Sequence, residues 1–179
     1  MTKVLRRQFI KYGALAAVTG MVPRSAQARA QTPECRLAFY STHTGESLDV
    51  VYRIGDDYIA EALAQINHVL RDHRNNEVQA MRPELLDLLH ALSTRLEAAT
   101  PFQVISGYRS PDSNRLLAAQ NEGVAKHSLH TEGKAIDIRL PGCDLPLLHR
   151  AAIALRLGGV GYYARSDFVH VDIGRVRYW

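Results

Sequence analysis

The chain has 179 residues, of which 46% are hydrophobic, and a formal net charge of +4. This length supports one domain that buries a core without disulfides or a structural metal. Residues 1–30 hold six of the 22 basic residues and none of the 18 acidic ones, so residues 31–179 carry a net charge of −2. The excess of basic residues therefore gives no argument for nucleic-acid binding, and no basic stripe interleaved with aromatic residues is present.

The N-terminal segment has the pattern of an export signal. Arg6-Arg-Gln-Phe-Ile-Lys11 is a twin-arginine motif, and an apolar run over Tyr12–Val22 follows it. A run of 11 residues is typical of a signal-peptide core and is too short to span a bilayer. Ala28 and Ala30 offer an Ala-x-Ala cleavage site, so residues 1–30 are predicted to be a signal peptide read by the twin-arginine export machinery. An uncleaved N-terminal anchor is the alternative; the mature chain itself is expected to have no membrane span.

Hydrophobic periodicity in the rest of the chain predicts both strands and helices. Strands are predicted over residues 36–42, 47–54, 102–105, 134–140, 160–163 and 168–173. Helices are predicted over residues 58–70, 83–96, 111–121 and 144–157. Gly45 is expected in the turn between the first two strands, Asp56 or Asp57 is expected to cap the first helix, and Gly123 is expected to end the third.

Two segments carry the chemistry, Ser128-Leu-His-Thr-Glu-Gly-Lys-Ala-Ile-Asp137 and Asp167-Phe-Val-His170. Their imidazoles and carboxylates suit a zinc ion, because catalytic zinc takes three protein ligands and leaves a fourth position open. We assign His130, Asp137 and His170 as ligands and Asp167 as the base beside the open position. The first two ligands lie seven residues apart, which excludes a His-Glu-x-x-His helix with its histidines at i and i+4.

Strand periodicity makes this ligand set geometrically plausible. Asp137 alternates with two isoleucines and His170 alternates with two valines, the pattern of half-buried strands. If the two strands are neighbours, Asp137 and His170 project from one face of the sheet, and His130 closes the site from the entering loop. Asp167 has the wrong parity for that face, so it has to reach the metal from the turn before the strand.

The motif pair Ser-x-His-x-x-Gly-x-Ala-x-Asp and Asp-x-x-His resembles the zinc D-Ala-D-Ala carboxypeptidase family. That family includes vancomycin-resistance dipeptidases and phage and bacterial peptidoglycan endopeptidases, and the likeness is strongest to its periplasmic murein endopeptidase branch. The resemblance runs from Arg36 to the end of the chain. It implies zinc ligation by His130, Asp137 and His170 and a general base at Asp167.

The resemblance also implies a role for Arg109, in the segment Ser106-Gly-Tyr-Arg-Ser110. The family places this arginine beside the active site, where it helps to hold the substrate or the developing oxyanion. A fixed guanidinium is a strong partner for both, although the residues alone allow a structural salt bridge equally well. Some relatives carry a second histidine where this chain has Asp172, so no ligand role is transferred to Asp172. His127 is interpreted as a residue that supports a ligand or faces the substrate.

Together these observations predict an α+β fold, with a small, mostly antiparallel sheet, helices on one face and a zinc site on the other. Residues 31–179 are predicted to form a periplasmic zinc peptidase domain that hydrolyses peptide bonds in peptidoglycan stem peptides or cross-links. A D,D- or L,D-carboxypeptidase or dipeptidase is the alternative within the enzyme class. A non-catalytic metal-containing domain that binds the cell wall is the alternative from another class, and the presence of a base at Asp167 argues against it.

The two cysteines, Cys35 and Cys143, allow two interpretations. In an oxidising periplasm they pair and tie the start of the domain to the loop after the ligand strand, or they stay unpaired. The sequence does not fix their separation. Neither lies in a Cys-x-x-Cys spacing, which argues against a role as metal ligands.

Overall fold

The computed structural model describes residues 32–120, 125 and 127–179. Residues 32–179 group as one compact unit. The predicted signal peptide and the predicted end of the third helix lie outside the described residues. Within the described part of the chain, no helix combines the length and the apolar character needed to cross a membrane.

The described residues form strands and helices close to the predicted ones. The strands are β1 (Glu34–Ser41), β2 (Ser47–Ile54), β3 (Asp57–Tyr58), β4 (Phe102–Ser106), β5 (Ala135–Arg139), β6 (Gly159–Tyr163), β7 (Phe168–Asp172) and β8 (Arg177–Tyr178). The helices are α1 (Ala60–Val69), α2 (Pro83–Arg95), α3 (Pro111–Gln120) and α4 (Leu145–Leu155). The predicted cap of α1 is wrong: Asp57 belongs to β3, and Ile59 takes the N-cap position without a side-chain hydrogen bond.

One mixed sheet contains all eight strands in the order β3-β2-β1-β4-β5-β7-β6-β8. Five of the strand pairs are antiparallel, while β1 with β4 and β6 with β8 are parallel. The α+β class and the mostly antiparallel sheet are therefore confirmed. The assignment of the helices to the face opposite the metal stays a prediction.

The ligand strands β5 and β7 are direct neighbours, and Asp137 lies opposite His170 in their register. Ile136 and Ile138 of β5 and Val169 and Val171 of β7 are fully buried, and the apolar core that includes them also includes leucines of α2 and α4. Side chains alternate between the two faces of a strand. Asp137 and His170 therefore share the face opposite these four apolar residues, as the periodicity predicts.

Cys35 and Cys143 are both free thiols in this structure, and Cys35 is buried. The unpaired interpretation is therefore the one that the structure supports. The fold is held together without a covalent link between β1 and the loop after β5.

Candidate metal centre

Three of the predicted site residues meet at one point on the sheet. The Oδ1 atom of Asp137 lies 2.8 Å from Nδ1 of His170 and 3.3 Å from Nε2 of His130. The two ring nitrogens are 3.2 Å apart. All three side chains are buried, and among the described residues they form the one cluster of histidine, cysteine and acidic groups with the spacing of a metal site.

A single-turn 3₁₀ helix, Leu129–Glu132, carries His130 into this cluster. The Ser128 side chain caps the turn by accepting a hydrogen bond from the His130 amide at 3.3 Å. Gly133 ends the turn with a φ of +65°, and a Cβ atom there would lie 2.4 Å from the Ala80 carbonyl oxygen. Gly133 is therefore required both for the left-handed conformation and for the close approach of the next segment.

Each histidine has one ring nitrogen engaged outside the cluster and the other inside it. Nδ1 of His130 lies 2.8 Å from the Gly107 carbonyl oxygen. Nε2 of His170 lies 3.1 Å from a carboxylate oxygen of Asp172. Because a carbonyl and a carboxylate only accept, both of these nitrogens donate a proton. The inner nitrogens, Nε2 of His130 and Nδ1 of His170, are left to offer their lone pairs to a metal.

Asp172 is itself fixed by several donors. It is fully buried and accepts hydrogen bonds from the amides of Gly159 and Gly174 at 3.0 and 2.8 Å. Arg177 donates to both of its oxygens, at 3.1 and 2.7 Å. Burial alone raises the pKa of Asp172, but the bonds from His170, Arg177 and the two amides outweigh it and hold the pKa below its usual range. Asp172 is therefore an anionic acceptor that orients His170.

The three side chains of the cluster influence one another's charge. Burial disfavours the charged form of His170, but hydrogen bonds to Asp137 and Asp172 raise its pKa to about 9. Burial likewise disfavours the charged Asp137, but its contacts with His130 and His170 keep its pKa well below the usual range. The buried carboxylate thus depends on a positive charge held between the two histidines.

The residues fit a zinc ion. Zinc bound tetrahedrally at about 2.0–2.2 Å from its ligands requires ligand atoms about 3.3–3.6 Å apart. The two separations from Nε2 of His130, at 3.2 and 3.3 Å, are close to this value, while the Asp137–His170 separation is that of a hydrogen bond. Two imidazoles and one carboxylate are also the donor types that zinc prefers in catalytic sites.

Arg109 lies close to Oδ2 of Asp137, whereas the two histidines lie close to Oδ1. Its Nη2 atom is 3.7 Å from Oδ2 of Asp137 and 3.5 Å from the Ser106 hydroxyl. The side chain is buried, and its Nε atom has no hydrogen-bond partner among the described residues. Arg109 also lines the cleft over the cluster. The structure therefore brings it to the site, while its role toward substrate stays a prediction.

Asp167 does not join the cluster. It follows the short helix Ala164–Ser166 in the left-handed conformation, with a φ of +52°. Its exposed carboxylate accepts a hydrogen bond of 2.8 Å from Arg139, two residues beyond Asp137 on β5. The predicted turn position is thus observed, and its role as base stays a prediction.

The cluster opens into a cleft of about 790 Å³. Exposed His127 lines this cleft, as its interpretation as a substrate-facing residue requires. Two residues to which the sequence assigned no role also belong to the site: Asp172, described above, and Trp179, which lines the cleft. The donors of Asp172 include Gly159 at the start of β6 and Arg177 of β8, and no local sequence pattern predicts that these residues meet it.

Fold and site together describe an α+β domain with a cluster that could hold a metal ion and that lines an open cleft. The family model described as peptidoglycan L,D-endopeptidase MepK, within the M15 peptidases, matches residues 29–179. Peptidoglycan L,D-endopeptidase MepK of Escherichia coli K12 is 43% identical over 175 residues, which cover 97% of this chain and 96% of the relative. The probable peptidoglycan L,D-endopeptidase MepK of Haemophilus influenzae is 38% identical over 176 residues, covering 97% and 95%.

The chain belongs to the MepK family of M15 peptidases. This confirms the resemblance drawn from the two motifs.

Proposed function

We propose that this protein is a zinc-dependent, periplasmic murein endopeptidase with the L,D-endopeptidase activity that the names of its relatives state. One observation carries the proposal. Three ligand atoms from a 3₁₀ turn and two neighbouring strands converge within 3.3 Å of one another, and the outer nitrogen of each histidine already donates to a fixed acceptor. Such preorganisation is typical of a catalytic metal site.

In this proposal His130, Asp137 and His170 hold the zinc ion. Bound zinc lowers the pKa of a water molecule toward neutrality and polarises a carbonyl oxygen. Arg109 is held by Ser106 and Asn114, which accept hydrogen bonds of 3.5 and 3.3 Å. Its guanidinium therefore has a fixed position from which to bind the substrate or to stabilise negative charge on the peptide oxygen.

Asp167 is the proposed general base. It accepts the proton of the attacking water and delivers that proton to the leaving amine. The exposed carboxylate lies on the turn between two cleft-lining residues, Ser166 and Phe168, and Arg139 anchors it there. Asp172 is a poorer candidate, because it is fully buried, bonded to Arg177 and two amides, and depressed in pKa.

Digestion of purified murein sacculi with analysis of the released fragments tests the proposed function. An endopeptidase cuts the cross-links, so muramidase treatment of the digested sacculi yields monomeric instead of cross-linked fragments, whereas a carboxypeptidase or dipeptidase shortens stems and leaves cross-links intact. A non-catalytic binding domain sediments with the sacculi and releases nothing. Intact cross-links after prolonged incubation with the zinc-loaded protein would contradict the proposal.

A further inference from the structure

Trp179 lies against the candidate metal site formed by His130, Asp137 and His170. Its ring centroid is 5.4 Å from that of His170, and the indole lines the cleft together with Tyr163 and Phe168. About half of the side chain, 49%, remains exposed. Trp179 is the single tryptophan of the sequence.

The position of Trp179 is fixed from several directions. Its amide donates to the Val160 carbonyl at 3.2 Å, and its own carbonyl accepts from the Tyr162 amide at 2.9 Å. The indole Nε1 donates to the Tyr163 hydroxyl at 2.9 Å. The guanidinium of Arg177 lies 4.9 Å from the ring centroid, within cation–π distance. Backbone pairing, a side-chain hydrogen bond and a cation–π contact thus hold Trp179 in one conformation.

Gly161 of β6 provides the space for the indole. A Cβ atom at this position would lie 2.7–2.8 Å from three atoms of the Trp179 ring. Atoms at that separation overlap, so any larger residue at 161 would displace the ring. The absence of a side chain at Gly161 therefore allows the indole of Trp179 to pack against β6.

A rigid aromatic surface that stays half exposed beside a reactive centre is suited to binding. Because the indole is already fixed in the free protein, ligand binding does not have to restrict its side-chain rotation. The contact area therefore contributes to the binding free energy with little loss of conformational entropy. The exposed face of the indole is apolar, and the candidate metal site lies next to it. It therefore fits an aliphatic group attached close to the bond being cleaved.

We propose that Trp179 forms a substrate-binding subsite that contacts the aliphatic part of a stem-peptide residue flanking the scissile bond. This inference rests on the proposed function, since it names a part of the same substrate. It makes Trp179 a determinant of substrate affinity and specificity, in addition to the ligands and the base.

The first test compares Trp179→Ala and Trp179→Phe with Tyr178→Ala, a control in the neighbouring residue, which is 45% exposed and does not line the cleft. On soluble cross-linked murein fragments, Trp179→Ala should raise KM at least about tenfold, the effect of removing an aromatic anchor. Trp179→Phe should recover most of this loss, and Tyr178→Ala should behave as wild type. Zinc content and Tm are measured on every variant, because a purely structural role of the indole would change them in parallel with activity.

Gly161→Val provides a variant that keeps the tryptophan but displaces it. It should raise KM as Trp179→Ala does. An unchanged kcat/KM in Trp179→Ala, or a loss fully explained by lost zinc or lost fold, would overturn the inference.

A binding measurement separates this inference from the proposed function. Because Trp179 is the single tryptophan, the intrinsic fluorescence of the protein reports on this subsite without requiring hydrolysis. Titration with the same murein fragments should give a saturable change in emission. Hydrolysis without any emission change would overturn the subsite and leave the proposed function standing. A saturable change without hydrolysis would support the subsite and contradict the endopeptidase activity, and the absence of both would contradict both.

Discussion

His130 keeps its Nε2 atom for the proposed metal ion because the Gly107 carbonyl accepts the proton of the other ring nitrogen. His170 keeps Nδ1 for the same reason, with Asp172 as the acceptor. Each predicted ligand is thus oriented by a fixed acceptor, which lies 23 residues away for His130 and on the same strand for His170. These acceptors are expected to matter nearly as much as the ligands.

The carboxylates of Asp137 and Asp167 should respond differently to the same substitution. Asp167→Asn keeps the size and hydrogen-bonding reach of the side chain but does not accept a proton at neutral pH. It should retain zinc and fold while losing about 10²- to 10⁴-fold in murein hydrolysis, the usual contribution of a general base. Asp137→Asn should lose zinc and activity together. Metal analysis and fragment release on both variants provide the measurement.

Two results would revise this division of roles. Loss of zinc from Asp167→Asn would make Asp167 a ligand. Retention of both zinc and full activity would place the base elsewhere, and His127 in the cleft would be the next candidate.

His73 should make stability depend on pH. Burial, with contributions from Arg74 and His43, lowers the pKa of His73 to about 4, although Asp72 acts in the opposite direction. Since this pKa is below that of the unfolded chain, near 6.5, the unfolded state binds the proton first. The free energy of unfolding should therefore fall as pH decreases from about 6.5 to about 4, by about 1–2 kcal/mol from this group after allowance for its partial exposure.

His73→Gln removes this titration. Urea denaturation of the variant at a series of pH values should give a shallower dependence than wild type over that window. If the free energy of unfolding of His73→Gln depends on pH as steeply as that of the wild type, His73 is not the source of the pH dependence.

At the scale of elements, the connection between α1 and α2 holds the segment that carries Arg109. The buried carboxylate of Asp72 accepts hydrogen bonds from the amides of Ser110 and Arg74 at 2.9 and 3.0 Å. The Tyr108 amide donates to the Leu70 carbonyl at 2.8 Å. The polar run after α1 is therefore part of the scaffold of the site.

Asp72→Ala should be strongly destabilising. The substitution leaves two amides without their acceptor, and such a loss typically costs about 2–4 kcal/mol. Asn75→Ala is a matched control in the same connection, because Asn75 is exposed and water can replace its hydrogen bonds to the Ser110 hydroxyl and to the carboxylate and amide of Glu77. Asn75→Ala should lower the free energy of unfolding by less than about 1 kcal/mol. Chemical denaturation measures both, and equal costs would contradict the assigned role of Asp72.

At the scale of the whole molecule, the sequence predicts those features of the structure that depend on local patterns of residues. Alternating residues in β5 and β7 predict the shared face of Asp137 and His170, and their direct pairing is confirmed. The two-residue strands β3 and β8 are too short to produce a periodicity. The position of Trp179 depends on the pairing of β8 with β6, a long-range contact that no local pattern specifies.

Export of the whole molecule stays a prediction, since its motif lies outside the described residues. Arg6→Lys combined with Arg7→Lys should trap precursor in the cytoplasm, because the twin-arginine motif is disrupted while the charge is kept. Cell fractionation followed by detection of precursor and mature chain is the measurement. Unchanged periplasmic mature protein would rule this pathway out.

The central claim is that His130, Asp137 and His170 hold the zinc ion required for hydrolysis. Metal analysis of the purified protein and of His170→Ala, with circular dichroism to verify folding, tests it most directly. The wild-type protein should contain about one zinc ion per chain, as expected for a site with a single set of three ligands, and the folded variant should contain almost none. Wild-type zinc content in folded His170→Ala would contradict the claim.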